Sequence, residues 1–243
     1  MQNVLILGSS GSIGKAISKL YLKEGYAVIG LDIKKFVLPH INFHHITYDL
    51  SDTNNYEELL SNIKKITNDN SIKHVINTTA IQALNKFDQI TEEEFLSSLN
   101  INAISQLKIF NLLKKLLIKS KSAYLSINSI HARLSKKNFL SYSSSKKLLE
   151  GIMDALSLEF SNHKIRIIQI FPAAIKTIML KDGLGVGGMK KISSFHPSKS
   201  IGKPEELADL VFKVLSVESS FMNGAKINFD GGISNLLHDP SSE

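Results

Sequence analysis

The sequence predicts an α/β fold of three layers, a doubly wound parallel sheet with helices on both faces. Two observations carry that prediction. Short apolar runs alternate with longer segments of helical period from Val4 to Phe171, the pattern of strands joined by crossover helices. Asp32, Asp49, Asn77, Ser129 and Pro172 stand at the ends of the apolar runs. In a parallel sheet the carboxyl ends of the strands are where ligands bind.

The first run, Val4 to Leu7, reads as a buried strand, and Lys15 to Leu22 takes up helical spacing. Between them lies Gly8-Ser9-Ser10-Gly11-Ser12-Ile13-Gly14. Strand, glycine-rich turn and helix together form the setting of a Rossmann-like dinucleotide loop. The glycines let the backbone turn tightly and approach a pyrophosphate, and the helix start offers free N–H groups. Gly8, Ser10, Gly11, Ser12, Ile13 and Gly14 are therefore candidate cofactor residues. A second strand, Ala27 to Leu31, ends in Asp32. A carboxylate there accepts hydrogen bonds from an adenosine ribose and repels a 2′-phosphate. NAD(H) is favoured, with NADP(H) left open because Lys34 and Lys35 soften the repulsion.

Ile41 to Tyr48 reads as a third strand ending in Asp49, Tyr56 to Ile66 as an amphipathic helix, and Lys73 to Asn77 as a fourth strand turning out through Thr78, Thr79 and Ala80. Glu92 to Leu117 carries one long helical pattern. Ala123 to Ile127 is a fifth strand, Tyr142 to Phe160 a helix, and Ile165 to Phe171 a sixth strand. Ser129 lies just past the fifth strand, and Tyr142 and Lys146 are four apart, one turn on the same helix face. A phenol has a reference pKa of about 10, which a neighbouring cation lowers. Such a phenol can pass a proton to a carbonyl oxygen while a serine hydroxyl bonds the same oxygen. That is the chemistry of carbonyl reduction.

Composition narrows the class. With 43% hydrophobic residues, 243 residues suffice for one large domain, 1–243, with a sizeable core. No run of eighteen apolar residues exists and the start shows no signal-peptide pattern, so no membrane span and a cytoplasmic location are expected. Zero cysteines remove disulfides, thiolate chemistry and cysteine-based metal sites, and no metal is expected. The charge of +7 is spread over lysine pairs along many segments, which makes no single footprint for nucleic acid.

These motifs resemble the classical short-chain dehydrogenase/reductase family over nearly the whole chain. The family pairs a glycine-rich cofactor loop with a catalytic Asn, Ser, Tyr and Lys, matched here by Asn102, Ser129, Tyr142 and Lys146, with gaps of 27 and 13 residues between the first three. The tail Gly202-Lys203-Pro204-Glu205-Glu206, then Asn223-Gly224 and Asp230-Gly231-Gly232, matches as well. The resemblance implies that Tyr142 is the general acid/base, that Ser129 orients the substrate oxygen, and that Lys146 holds the nicotinamide ribose and lowers the tyrosine pKa. Asn102 would support a water-linked proton relay. It further implies that Asp49, Leu50, Asn77, Thr78, Thr79, Ala80, Pro172, Ile175 and Thr177 lie along the cofactor. Departures are the G-x-x-G-x-x-G spacing, Leu7 for the usual Thr, Thr78-Thr79-Ala80 for the usual Asn-Ala-Gly, and Ala173 after Pro172.

The expected reaction is interconversion of a secondary alcohol and a ketone on a small polar substrate, a sugar, polyol or hydroxy acid. The alternative is a 3-oxoacyl thioester reductase using NADPH. Asp32 and the lack of a basic residue at Ser9 or Ser10 count against the alternative. His131, two residues after Ser129, is a candidate substrate contact. Residues 178–200, with a glycine-rich run at 183–188, are the expected flap over the substrate. A homo-oligomer, dimer or tetramer, is also implied, with Leu112, Leu116, Leu148, Leu149, Ile152 and Leu156 either supplying its surface or packing on the subunit's own sheet.

Overall fold

The strands assemble into a seven-stranded sheet of order β3-β2-β1-β4-β5-β6-β7, parallel at every pairing. The computed structural model describes residues 1–52, 55–68, 71–184 and 188–237. The strands are β1 (Asn3–Leu7), β2 (Ala27–Asp32), β3 (Phe43–Thr47), β4 (Ile72–Asn77), β5 (Ala123–Ile127), β6 (Arg166–Pro172) and β7 (Lys226–Phe229). The helices are α1 (Ser12–Lys23), α2 (Tyr56–Thr67), α3 (Glu92–Leu99), α4 (Ser105–Ser120), α5 (Leu140–Glu159), α6 (Ile178–Asp182), α7 (Gly188–Phe195) and α8 (Pro204–Ser216). No helix among the described residues is long and apolar enough to cross a membrane.

The alternation of side chains across the sheet divides the core in two. Leu5 and Leu7 of β1 pack with Leu59 and Ile63 of α2, Phe110 and Leu113 of α4, and Leu149 and Met153 of α5. Val4 and Ile6 point the other way, onto Ile17 and Tyr21 of α1 and Leu207 and Val211 of α8. Both faces of β1 are covered, so all five of its residues are buried, and no polar residue breaks the run from Val4 to Leu7. Leu116, Leu149 and Leu156 belong to the subunit's own core, which removes them from any oligomer surface. Leu148, 38% exposed, stays available for one.

The expected long helix from Glu92 to Leu117 is two helices joined by a π-helical segment, Asn100–Ile104. Its wider turn keeps the helix pattern of the sequence while reorienting Asn102. The fully buried Asn102 amide accepts from the Ile81 N–H at 2.8 Å and donates to the Ile81 carbonyl and the Ser145 hydroxyl, each at 2.9 Å. In the expected flap, Ile178–Asp182 and Gly188–Phe195 are helical, and residues 185–187 lie outside the described residues. β7 escaped the sequence reading because it is a short edge strand whose side chains alternate between exposed and half-buried.

Candidate active site

Strand order reverses between β1 and β4, and a crevice opens there at the carboxyl ends of the strands. Its floor is the turn after β1. Gly8 has φ +81°, and a Cβ on it would lie 2.7 Å from Thr78 Oγ1. The Gly8 N–H donates to Leu31 O at 2.8 Å and the Thr78 N–H to Leu7 O at 2.9 Å, so the turn is tied to both neighbouring strands. Gly14 sits so close beneath that its Cβ would stand 2.2 Å from Gly8 O. No side chain caps the start of α1, which leaves its first N–H groups turned to the crevice for an anionic group.

One cavity of about 630 Å³ runs along this edge. Gly8, Ser10, Gly11, Ser12, Ile13, Gly14, Asp32, Asp49, Leu50, Thr78, Thr79, Ala80, Ser129, His131, Tyr142, Lys146, Pro172, Ile175 and Thr177 all line it. Asn77 and Asn102 do not: both hold its walls from behind. Asn77 is fully buried, accepts from the Thr79 N–H at 2.9 Å and donates to Ser126 Oγ at 3.2 Å. Asp32 accepts from the Ser10 N–H at 3.0 Å through one oxygen and from the Lys34 N–H at 2.9 Å through the other. Each oxygen keeps a lone pair for a further donor. Asp49 holds Ser51 by N–H and hydroxyl, at 2.8 and 2.7 Å. Across the cavity, Thr177 caps α6 by accepting from the Leu180 N–H, and the Ile178 N–H donates to Ser12 Oγ at 3.3 Å.

At the other end the reactive groups converge. Tyr142 is buried, and burial pushes its phenol up to about 12 against a hydrogen bond with Ser129 that pulls it down. Lys146 is 1% exposed, its ammonium donates to Ile127 O at 3.2 Å, and burial lowers it to about 8. Burial thus disfavours the ionised form of both groups, raising the phenol and lowering the ammonium. The ammonium lies 5.8 Å from the centre of the Tyr142 ring and is itself desolvated. His131 Nδ1 lies 2.9 Å from Leu134 O, so it carries the hydrogen and leaves Nε2 as an acceptor. Burial holds this imidazole below its usual range, in the neutral form. As a candidate substrate contact it offers an acceptor rather than a positive charge.

Glu150, one turn beyond Lys146, locks the helix to the serine loop. It is 4% exposed and receives Arg133 at 2.9 Å and Lys147 and Lys226 at 3.0 Å each. Burial alone would raise its carboxyl, but hydrogen bonds from Lys147, Lys226 and Arg133 bring it down to about 2. A depressed folded-state pKa gives stability that is present above the ordinary glutamate value and is lost as pH falls toward the folded one. Thermal midpoints should therefore drop between about pH 4.5 and pH 2. Glu150→Gln should flatten that fall and cost about 1–3 kcal/mol at pH 7. Parallel acid curves for variant and wild type would remove the clamp from the stability account.

Lining residues that the sequence did not flag include Gln82, Lys136, Phe139, Phe195 and His196. Lys136 and Phe139 lie between Ser129 and Tyr142 and were within reach of the motif. Phe195 and His196 lie within the expected flap, 178–200, which the sequence marked as a segment and not residue by residue.

A family model described as enoyl-(acyl carrier protein) reductase matches residues 8–234. The chain belongs to the short-chain dehydrogenase/reductase family. It is an oxidoreductase that acts on a CH–OH group with a nicotinamide dinucleotide. The enzyme is 27% identical over 240 residues to 3-oxoacyl-acyl-carrier-protein reductase FabG of Buchnera aphidicola subsp. Acyrthosiphon pisum, covering 96% of this chain and 97% of that protein. It is 23% identical over 235 residues to an NAD-dependent glycerol dehydrogenase of Listeria innocua, covering 94% and 92%. Among solved structures, ligand-free aldohexose dehydrogenase of Thermoplasma acidophilum superposes with a TM-score of 0.88 at 25% identity, over 98% and 97% of the two chains. The features of the crevice fit a dinucleotide. The glycine cradle would be filled by a Cβ, the helix start is uncapped, and Thr79 Oγ1 is buried without a partner.

Proposed function

We propose that the enzyme interconverts a secondary alcohol and a ketone on a small polar substrate, a sugar, polyol or hydroxy acid. The observation that carries this reading is that Ser129, a buried Tyr142 and a buried Lys146 line the same cavity as the glycine cradle and Asp32. A bound nicotinamide would supply or accept the hydride at the carbonyl carbon. Ser129 donates to the substrate oxygen and fixes it against the phenol. Tyr142 gives its proton to that oxygen as the C–O double bond becomes an alcohol, and takes it back in the oxidative direction. Lys146 is the cation on this chain that stabilises the phenolate once the proton has left, and it stands ready to bond a ribose hydroxyl. Asn102 keeps the Ile81 turn and α5 at a fixed separation behind these groups.

Asp32 supports a preference for NAD(H). Its carboxylate lines the cavity and no basic side chain stands at Ser9 or Ser10. Asp32→Ala should narrow the gap between NAD(H) and NADP(H) affinities, about tenfold for each 1.4 kcal/mol of repulsion relieved. Wild-type titrations showing equal or tighter binding of NADP(H) would refute the preference. The name of the FabG relative favours a second reading, reduction of a 3-oxoacyl thioester with NADPH. A panel of sugars, polyols, hydroxy acids and acyl thioesters, each with NAD(H) and NADP(H) and followed by nicotinamide absorbance, decides between the two. Turnover confined to acyl thioesters with NADPH would overturn the first. We also infer a homo-oligomer in which α4 and α5 meet their mates. Light scattering that returns the monomer mass at micromolar concentration would contradict it.

A further inference from the structure

A second chamber opens beside the catalytic one. It is a groove of about 830 Å³ between Asn85, Phe87 and Ile90 on one side and the 131–138 loop with the start of α5 on the other. His131 and Lys136 line both chambers, so the two adjoin at the reacting end. The charged side chains lining the groove are Arg133, Lys136, Lys137 and Lys147, and no carboxylate lines it among the described residues. Arg133 and Lys147 are held by Glu150 behind the wall. Lys136 and Lys137 form no ion pair among the described residues.

Lys136 holds its ammonium 4.2 Å from the centre of the Phe139 ring. That ring packs at 4.5 Å on His131 and stands edge-on to Tyr142 at 6.0 Å. A single aromatic ring therefore separates a free cation from the reacting phenol. The side chain is exposed to the groove, and the Phe139 ring covers one side of its ammonium. A ring face is a weaker partner for an ammonium than a carboxylate is, so an anion arriving with the substrate would supply the counter-charge that this wall lacks. Other lysine pairs of the chain, such as Lys64-Lys65 and Lys190-Lys191, line neither chamber.

We propose that the substrate carries an anionic group, a carboxylate or a phosphate, remote from its carbonyl, and that Lys136, with Lys137 beside it, receives that group in this groove. The proposal rests on the reading of the adjacent cavity as the seat of carbonyl reduction. It narrows sugars, polyols and hydroxy acids to their acids and phosphate esters.

Three ketones of one skeleton test it: 5-hydroxypentan-2-one, its phosphate monoester, and levulinate, which carries a carboxylate at the same end. Wild type should reduce at least one of the two anions with a kcat/KM about tenfold or more above that of the neutral ketone, mainly through KM. The advantage should shrink with added salt, and the favoured anion distinguishes carboxylate from phosphate. Lys136→Gln should cut the anion-to-neutral ratio about tenfold, and Lys136→Arg should restore most of it. Equal use of neutral and charged ketones by wild type, or a ratio unchanged in Lys136→Gln, overturns the proposal. Calorimetric titration of levulinate and of inorganic phosphate into protein saturated with NAD or NADP gives a readout without turnover. Saturable binding weakened about tenfold in Lys136→Gln, with no ketone reduced, would sink the carbonyl-reduction reading and leave the anion site standing. No saturable binding to wild type overturns the anion site itself.

Discussion

Tyr142→Phe should lower kcat by about 10²–10⁴-fold while leaving dinucleotide affinity within about twofold of wild type. The substitution deletes one hydroxyl. The ring contacts that hold the side chain remain, with Phe139 at 6.0 Å and His131 at 6.1 Å. What is lost is the proton that must reach the substrate oxygen as the hydride reaches carbon. Water cannot readily replace it, because the tyrosine is 7% exposed and its surroundings are dry enough to raise its pKa to about 12. Ser129 would keep its contact with the His131 N–H at 3.1 Å, so the loop should not move. Steady-state kinetics on an identified substrate, paired with cofactor titration by fluorescence, checks both halves. Retention of half the wild-type kcat would remove Tyr142 from the proton path.

Two glycine-to-alanine substitutions should give opposite signs. A methyl at Gly14 would meet Gly8 O at 2.2 Å, Gly8 C at 2.9 Å and Ser9 Cα at 2.8 Å. All three are backbone atoms of a turn already fixed by β2 and β4, so none can swing aside. Either α1 lifts from the turn or the turn distorts, and overpacking of this kind costs about 1–3 kcal/mol. The same displacement moves the N–H groups of α1 off the position that a pyrophosphate needs, so dinucleotide affinity should fall at least about tenfold in Gly14→Ala. A methyl on Gly151, inside α5, would meet no atom within 4 Å, and the backbone there has no positive φ. Gly151→Ala should therefore stabilise by up to about 1 kcal/mol through helix propensity. Thermal denaturation of the two variants beside wild type reads the contrast. Wild-type stability and cofactor affinity in Gly14→Ala would refute the close-packing account.

The strands that the sequence revealed plainly, β1, β5 and β6, are those buried along their whole length. A parallel strand covered on both faces has few polar positions, so a continuous apolar run marks it. The cofactor turn was legible for a related reason, since only glycine tolerates the contacts at Gly8 and Gly14. What stayed hidden depends on tertiary placement. The π segment at Asn100–Ile104 leaves the helical pattern of apolar residues intact, and the grip of Asn102 on Ile81 and Ser145 that accompanies it spans positions 21 and 43 residues apart. The buried state of Lys146 was equally invisible. A lysine one turn from a tyrosine reads as a charge that acidifies the phenol, whereas the enclosed site penalises both ionised forms.

The grip of Asn102 on Ile81 and Ser145 divides the molecule by tolerance to change. Ile81 is where the chain leaves the cofactor turn for the stretch that carries Asn85, Phe87 and Ile90 along the second chamber, and it is pinned to a buried amide at both its N–H and its carbonyl. The far end of that stretch is tied to α5 through Glu94, which accepts from Asn85 and from the Ser141 hydroxyl. Side chains between these two anchors, Phe87 and Ile90 among them, can therefore change what the second chamber recognises while Ile81 and Glu94 hold the ends of the stretch in place.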